Sequence, residues 1–148
     1  MRSKLVLYFV GVLLVLAIGL GIYYQFIRED VPEGTVDVVV GDVHYYVQYK
    51  DLTLEKVEGI RVNGKGEELP VKGEGILLSA VLDSLNITDF TQVVITSADA
   101  YSATVTHAEI KEPSRAYLLL EEEGLRLIVF GDTNSKRSVS GVVQITVE

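Results

Sequence analysis

Residues 95–110 read ITSADAYSATVTHAEI. One β-rich run ends at a Ser-Ala-Asp-Ala corner, a second follows, and Thr106 then stands three residues before Glu109. In the second run Tyr101, Ala103 and Val105 alternate with Ser102, Thr104 and Thr106. That is the period of a strand with one buried and one wet face. Ahead of it Val93, Val94 and Ile95 are continuously apolar, as in a strand buried on both faces. The two runs predict a hairpin. At its corner Asp99 is placed to accept from backbone amides two residues on, as an Asx turn. The same corner supports a second reading, in which Ser97, Asp99 and Tyr101 line a pocket. Thr106 and Glu109 match the capping box S/T-x-x-E, which satisfies free amides at the start of a short helix.

Outward from this hairpin the pattern stays β-rich. VDVVV, Gly41-Asp42 and VHYYVQY predict another hairpin. Tyr45, Tyr46 and Tyr49 fall on both of its faces, for core packing or as an exposed pair suited to a protein contact. DLTLEKVEG predicts one helical turn capped by Asp51 or Thr53, and GIRVNG a short strand closing at Asn63-Gly64. Residues 63–75, NGKGEELPVKGEG, read as a turn-rich loop. In GILLSAVLDSLNI, Leu77, Leu78, Val81, Leu82 and Leu85 recur at helical spacing and predict the main helix of the folded part. QVVITS, YSATVT, AYLLLEE, LRLIVFG and SVSGVVQITV predict strands, with turns at Glu123-Gly124 and at Asp132-Thr133-Asn134. The fold class is α+β: a mostly β domain with one main helix.

The N-terminus is of another kind. Residues 5–24, LVLYFVGVLLVLAIGLGIYY, contain no charge, and about 20 apolar residues cross a bilayer as a helix. Arg2 and Lys4 precede the run; Arg28, Glu29, Asp30 and Glu33 follow it. This asymmetry predicts a cytoplasmic N-terminus and an extracytoplasmic remainder, with Tyr23 and Tyr24 at the interface. A cleaved signal peptide is the competing reading, but it expects a shorter apolar core and a small-residue site at a polar boundary. The expected organisation is a transmembrane anchor over 1–27, a linker over 28–35 (with Pro32 and Gly34) and a folded domain over 36–148. The expected location is the cell membrane, crossed once.

Composition removes several function classes. All 21 acidic residues lie beyond residue 27, while two of the 13 basic ones precede it, leaving eleven positive charges against 21 negative, a net of −10. Nucleic acid is not an expected partner, because phosphate neutralisation needs clustered Lys and Arg. The chain has no cysteine, so disulfides, thiolate metal sites and cysteine nucleophiles are absent. His44 and His107 are in no metal-ligand spacing. Asp83, Asp89 and Asp99 do not form a calcium loop, and Glu121, Glu122 and Glu123 read as a solvated run. Residues 131–141, GDTNSKRSVSG, group Lys136 and Arg137 with hydroxyls and glycines. They read as a polar hairpin loop or as a place for a phosphate, but not as a P-loop. Asn86-Ile87-Thr88 is a glycosylation sequon.

The order GEGILLSAVLDSLNI, VVITSADAYSATVTHAEI and AYLLLEEEGLRLIVFGDTNSKRSVSGVVQITVE resembles the molybdopterin-binding domain of sulfite-oxidase-type oxidoreductases, from about Val38 to Glu148. The matching features are a G-x-x-L-x-x-L-L helix, an S-x-D-G-Y corner, an L-R-L-V strand and a closing basic-to-hydrophobic strand. The resemblance implies a sulfite-oxidase-like core. It carries cofactor contacts to Arg137, with Asp99 and Tyr101 as pocket rim. Two departures weigh against the family's chemistry. The family ligates molybdenum through a cysteine thiolate, and this chain has none. The glycine of the corner is Ala100 here, which is strained if that position has positive φ. The expected function is therefore a non-catalytic, membrane-anchored domain binding a small ligand or a membrane or extracytoplasmic protein partner. The rival readings are an oxidoreductase that keeps a pterin–molybdenum cofactor, and an assembly subunit of a membrane complex.

Overall fold

An uncharged run longer than a bilayer is thick satisfies its own amides only as a helix. In the computed structural model, which describes residues 2–27 and 31–148, α1 spans Arg2–Ile27. Its window Val6–Tyr23 has a mean hydropathy of 2.5 and is long and apolar enough to cross a membrane. The flanking residues Arg28, Glu29 and Asp30, and the side chains of Arg2 and Tyr24, lie outside the described residues. The chain divides into two units, Met1–Asp30 and Val31–Glu148. In the linker stretch that is described, the Thr35 amide and hydroxyl both bond to the Pro32 carbonyl.

The second unit is mostly β, and its described strands form two sheets. The first sheet holds β1 (Thr35–Val40), β2 (Val43–Gln48), β5 (Gln92–Ser97), β6 (Ser102–Thr106) and β9 (Val142–Val147), in the order β2-β1-β9-β5-β6. Only β1 and β9 run parallel. The second is antiparallel and holds β3 (Glu55–Val62), β4 (Glu68–Leu77), β7 (Ala116–Glu121) and β8 (Gly124–Val129), in the order β3-β4-β7-β8. Alternation decides which side chains meet between the sheets. Val36, Val38, Ile95, Ala103, Val105 and Ile145 from the first pack with Ile76, Leu118, Leu125, Leu127 and Val129 from the second. Two short helices complete this core: α2 (Leu78–Ser84), through Leu78, Val81 and Leu82, and α3 (His107–Lys111), through Ile110. A smaller cluster of Val57, Val71, Tyr117, Leu119 and Ile128 gathers the apolar side chains of the second sheet that miss the main core.

Several sequence expectations are corrected. The expected helical turn over DLTLEKVEG is a 3₁₀ turn at Tyr49–Asp51, followed after three residues by β3. The expected loop 63–75 is largely β4, because Val57 and Val71 bury on the second sheet and hold the pairing. Pro70 hid this strand, yet it faces Ile60 where β4 has no β7 neighbour, so its missing amide leaves no ladder bond broken. The main helix starts at Leu78 rather than near Gly75, because Gly75, Ile76 and Leu77 pair with Leu119, Leu118 and Tyr117. Gly75 suits this crowded place: a Cβ there would meet the Leu118 carbonyl at 2.9 Å. β5 is not buried on both faces, since Val93, Ile95 and Ser97 are buried and Val94 is only half-buried. Tyr45 and Tyr46 are each 41% exposed, so core packing explains only Tyr49, which lies against the main core.

Candidate functional site

The 95–110 stretch is the hairpin β5–β6, with Val94 opposite Thr104 and Thr96 opposite Ser102. At its corner the Ser97 hydroxyl is buried and donates to Asp99 Oδ1, while the Tyr101 amide reaches the same oxygen at 3.4 Å. The Ser97 hydroxyl bond, then the Tyr101 amide, lower the Asp99 pKa from its ordinary value. Ala100 closes the turn at φ +68°, the left-handed region that favours glycine, so the alanine is strained as the sequence suggested. Asp99 is thus an Asx-type support for its own turn.

Tyr101 and Arg137 meet the same loop. The Tyr101 hydroxyl donates to the Lys136 carbonyl. Arg137 lies next to Lys136 in the segment between β8 and β9, and all five of its N–H donors find acceptors. Nε and Nη2 donate to the two Asp132 oxygens, and Nη1 and Nη2 donate to the two Glu109 oxygens at 2.8 Å each. Nη1 also donates to the Thr104 carbonyl of β6 at 3.3 Å. A guanidinium has five donors and no acceptor, so this one is complete. Its pKa is raised by the bonds to Asp132 and Glu109.

Glu109 is the hub of this network. Thr106 and Glu109 form the expected capping box, with the Glu109 amide on the Thr106 hydroxyl and the Thr106 amide on Glu109 Oε2 at 3.0 Å. Arg115 Nη2 adds a contact of 3.3 Å to Glu109 Oε1, while Arg115 Nη1 pairs with Glu112 Oε2 at 2.7 Å. The Arg137 bond, above all, holds Glu109 at a pKa of about 2. A void of only about 10 Å³ lies beside Arg137, lined by Asp132, Ser138 and Val129 among others. That is room for about one water.

Asp99 bonds to Ser97 and Tyr101 rather than to Arg137. The three predicted residues therefore serve two tasks. Asp99 stabilises the corner; Tyr101 and Arg137 fasten the distal loop to β6.

A second polar cluster escaped the sequence reading. Asp37 is 3% exposed in the middle of the first sheet. Its Oδ2 accepts from Gln144 Nε2 at 3.0 Å and lies 2.8 Å from His44 Nδ1, while its Oδ1 is buried without a hydrogen-bond partner. Against a carboxylate oxygen Nδ1 is the donor, and the His44 side chain stays 45% exposed on β2. The signal was present as a lone Asp inside the apolar run VDVVV. A shallow groove of about 330 Å³ runs along the second sheet between Lys56, Glu58, Ser114, Tyr117 and Phe130. Among the described residues, no group of three or more His, Asp or Glu side chains is placed to hold a metal ion. No family model matches this chain, and no curated protein matches it.

Proposed function

We propose that this chain is a membrane-anchored, extracytoplasmic and non-catalytic binding domain with a pared-down molybdopterin-domain-like core, and that its ligand is a protein partner. The observation that carries this reading is the saturation of Arg137. The one cation that the family resemblance assigns to the cofactor spends all five donors on Asp132, Glu109 and Thr104. A pterin phosphate there would have to displace two carboxylates. The residues present do not fit the cofactor, and the absent thiolate points the same way. The anchor reading rests on the apolar run of α1 and on Arg2 and Lys4 ahead of that run, which orient the folded part away from the cytoplasm.

The test is the metal and pterin content of the full chain, purified in detergent from cells that make the molybdenum cofactor. Molybdenum by mass spectrometry and pterin fluorescence after acid release should both fall below one-tenth of the chain's molar amount. Near-stoichiometric values for both would restore the oxidoreductase reading and overturn this one.

A further inference from the structure

Bare sheet edges pair with other strands, so β proteins guard them with charge, proline or a covering loop. Among the described residues, this domain guards its edges with one exception. β3 carries Glu55, Lys56, Glu58 and Arg61, and the stretch of β4 beyond its β7 pairing carries Glu68, Pro70, Lys72 and Glu74. β8 is closed by the Leu127 amide on the Val139 carbonyl and by a bridge from Arg126 to Ser140. β6 is held by Arg137 and by the Tyr101 bond to Lys136. β2 is different. Its sequence VHYYVQ has no charge and no proline, it ends the sheet with β1 as its strand neighbour, and all its residues but Val47 are exposed.

We propose that β2 is a self-association edge: two copies of this chain pair their β2 strands antiparallel about a twofold axis through Tyr45, joining two sheets into one. A twofold axis normal to a sheet leaves each face on its own side, so opposed residues must share a face. Centred on Tyr45, this register sets Val43 against Val47 of the second copy, His44 against Tyr46 and Tyr45 against itself. Apolar meets apolar on the core side, and ring meets ring on the other. No charge stands on the strand to oppose itself, although each chain carries −10 beyond residue 27. His44 is already held by Asp37, which Gln144 also contacts, so its ring is ordered before pairing. One short strand makes a small contact, and the association is of the weak class.

The chain has no cysteine, so a single introduced one reports only contacts between molecules. In native membranes carrying the full chain, mild oxidation of Tyr45→Cys should give at least a fivefold higher yield of covalent dimer than Ile60→Cys. Ile60 is 58% exposed on the guarded strand β3 and serves as the control. Light scattering of the detergent-solubilised full chain should show a two-chain mass at high concentration, falling to one chain in Val43→Lys with unchanged circular dichroism. Equal crosslinking at the two positions, or a one-chain mass at every concentration, would overturn the proposal. So would crosslinking of the Tyr45→Cys variant to a different protein in place of a second copy, which would reassign the edge to a foreign strand.

Discussion

The two outer strands of the first sheet, β2 and β6, are alike in sequence and unlike in fate. Both are short, uncharged and rich in β-branched or aromatic residues. β6 is fastened by a loop far along the chain, through Arg137 to Thr104 and Lys136 to Tyr101. β2 has β1 on one side and exposed side chains along nearly its whole length. An edge strand's behaviour therefore depends on what the rest of the chain brings to it, and among the described residues the ion network of Arg137 covers the β6 end of the sheet.

The strongest way to break this contrast is to uncover β6. Arg137→Ala removes five hydrogen bonds and leaves Glu109 and Asp132, both largely buried, facing each other without their shared cation. Breaking such a pair costs roughly 3 kcal/mol. Thermal melting should show that loss, and the variant should associate through β6 as well; a loss under about 0.5 kcal/mol, the scale of an ordinary surface substitution, would mean the network does not hold the edge.

Acid weakens the same network. Glu109 is held near pKa 2 against an ordinary 4.5. Its folded value is depressed, so its contribution is complete above about 4.5 and fades as pH falls towards 2. At pH 7 Glu109→Gln should be less stable than the unaltered chain by about 2 kcal/mol, the scale of hydrogen bonds to charged groups. The gap should close between pH 4.5 and 2, and a gap unchanged across that range would sink this assignment.

At the corner that begins β6, Ala100→Gly should stabilise by about 0.5–1 kcal/mol, because glycine adopts φ +68° without the Cβ conflict. Denaturant titration would detect it, and a destabilised variant would show the turn is not strained. The smallest stability effect belongs to β2. Tyr45→Lys should change folding free energy by less than about 0.5 kcal/mol, as surface substitutions do, while abolishing self-association. Self-association of the unaltered chain should also tighten as salt rises, because salt screens like charge beyond about 8 Å.

The hairpin, its Asx corner and the Thr106–Glu109 capping box were legible because each is set by residues two to three apart. The end of β3 was legible in GIRVNG, but its first half and β4 were not, since Val57 and Val71 find their burial in side chains of β7 and β8 that lie far along the chain. The helix start was misplaced for the same reason: Leu77 fits the helical period, but its pairing with Tyr117 takes it into the strand. Arg137 drew attention as a cofactor contact implied by the resemblance, and in the structure it is paired to Asp132 and Glu109. Nothing local announced that Glu109, 28 residues earlier, would occupy it. Asp37 shows the opposite case, in which a lone acid in an apolar run was a local signal for a buried contact with His44 and Gln144.

Amide hydrogen exchange on the full chain in detergent, followed across a wide concentration range, tests the difference between the two edges most directly. The account predicts that protection of β2 amides rises with concentration while that of β6 stays constant. Protection at β2 that is independent of concentration, or that rises equally at both strands, would contradict it.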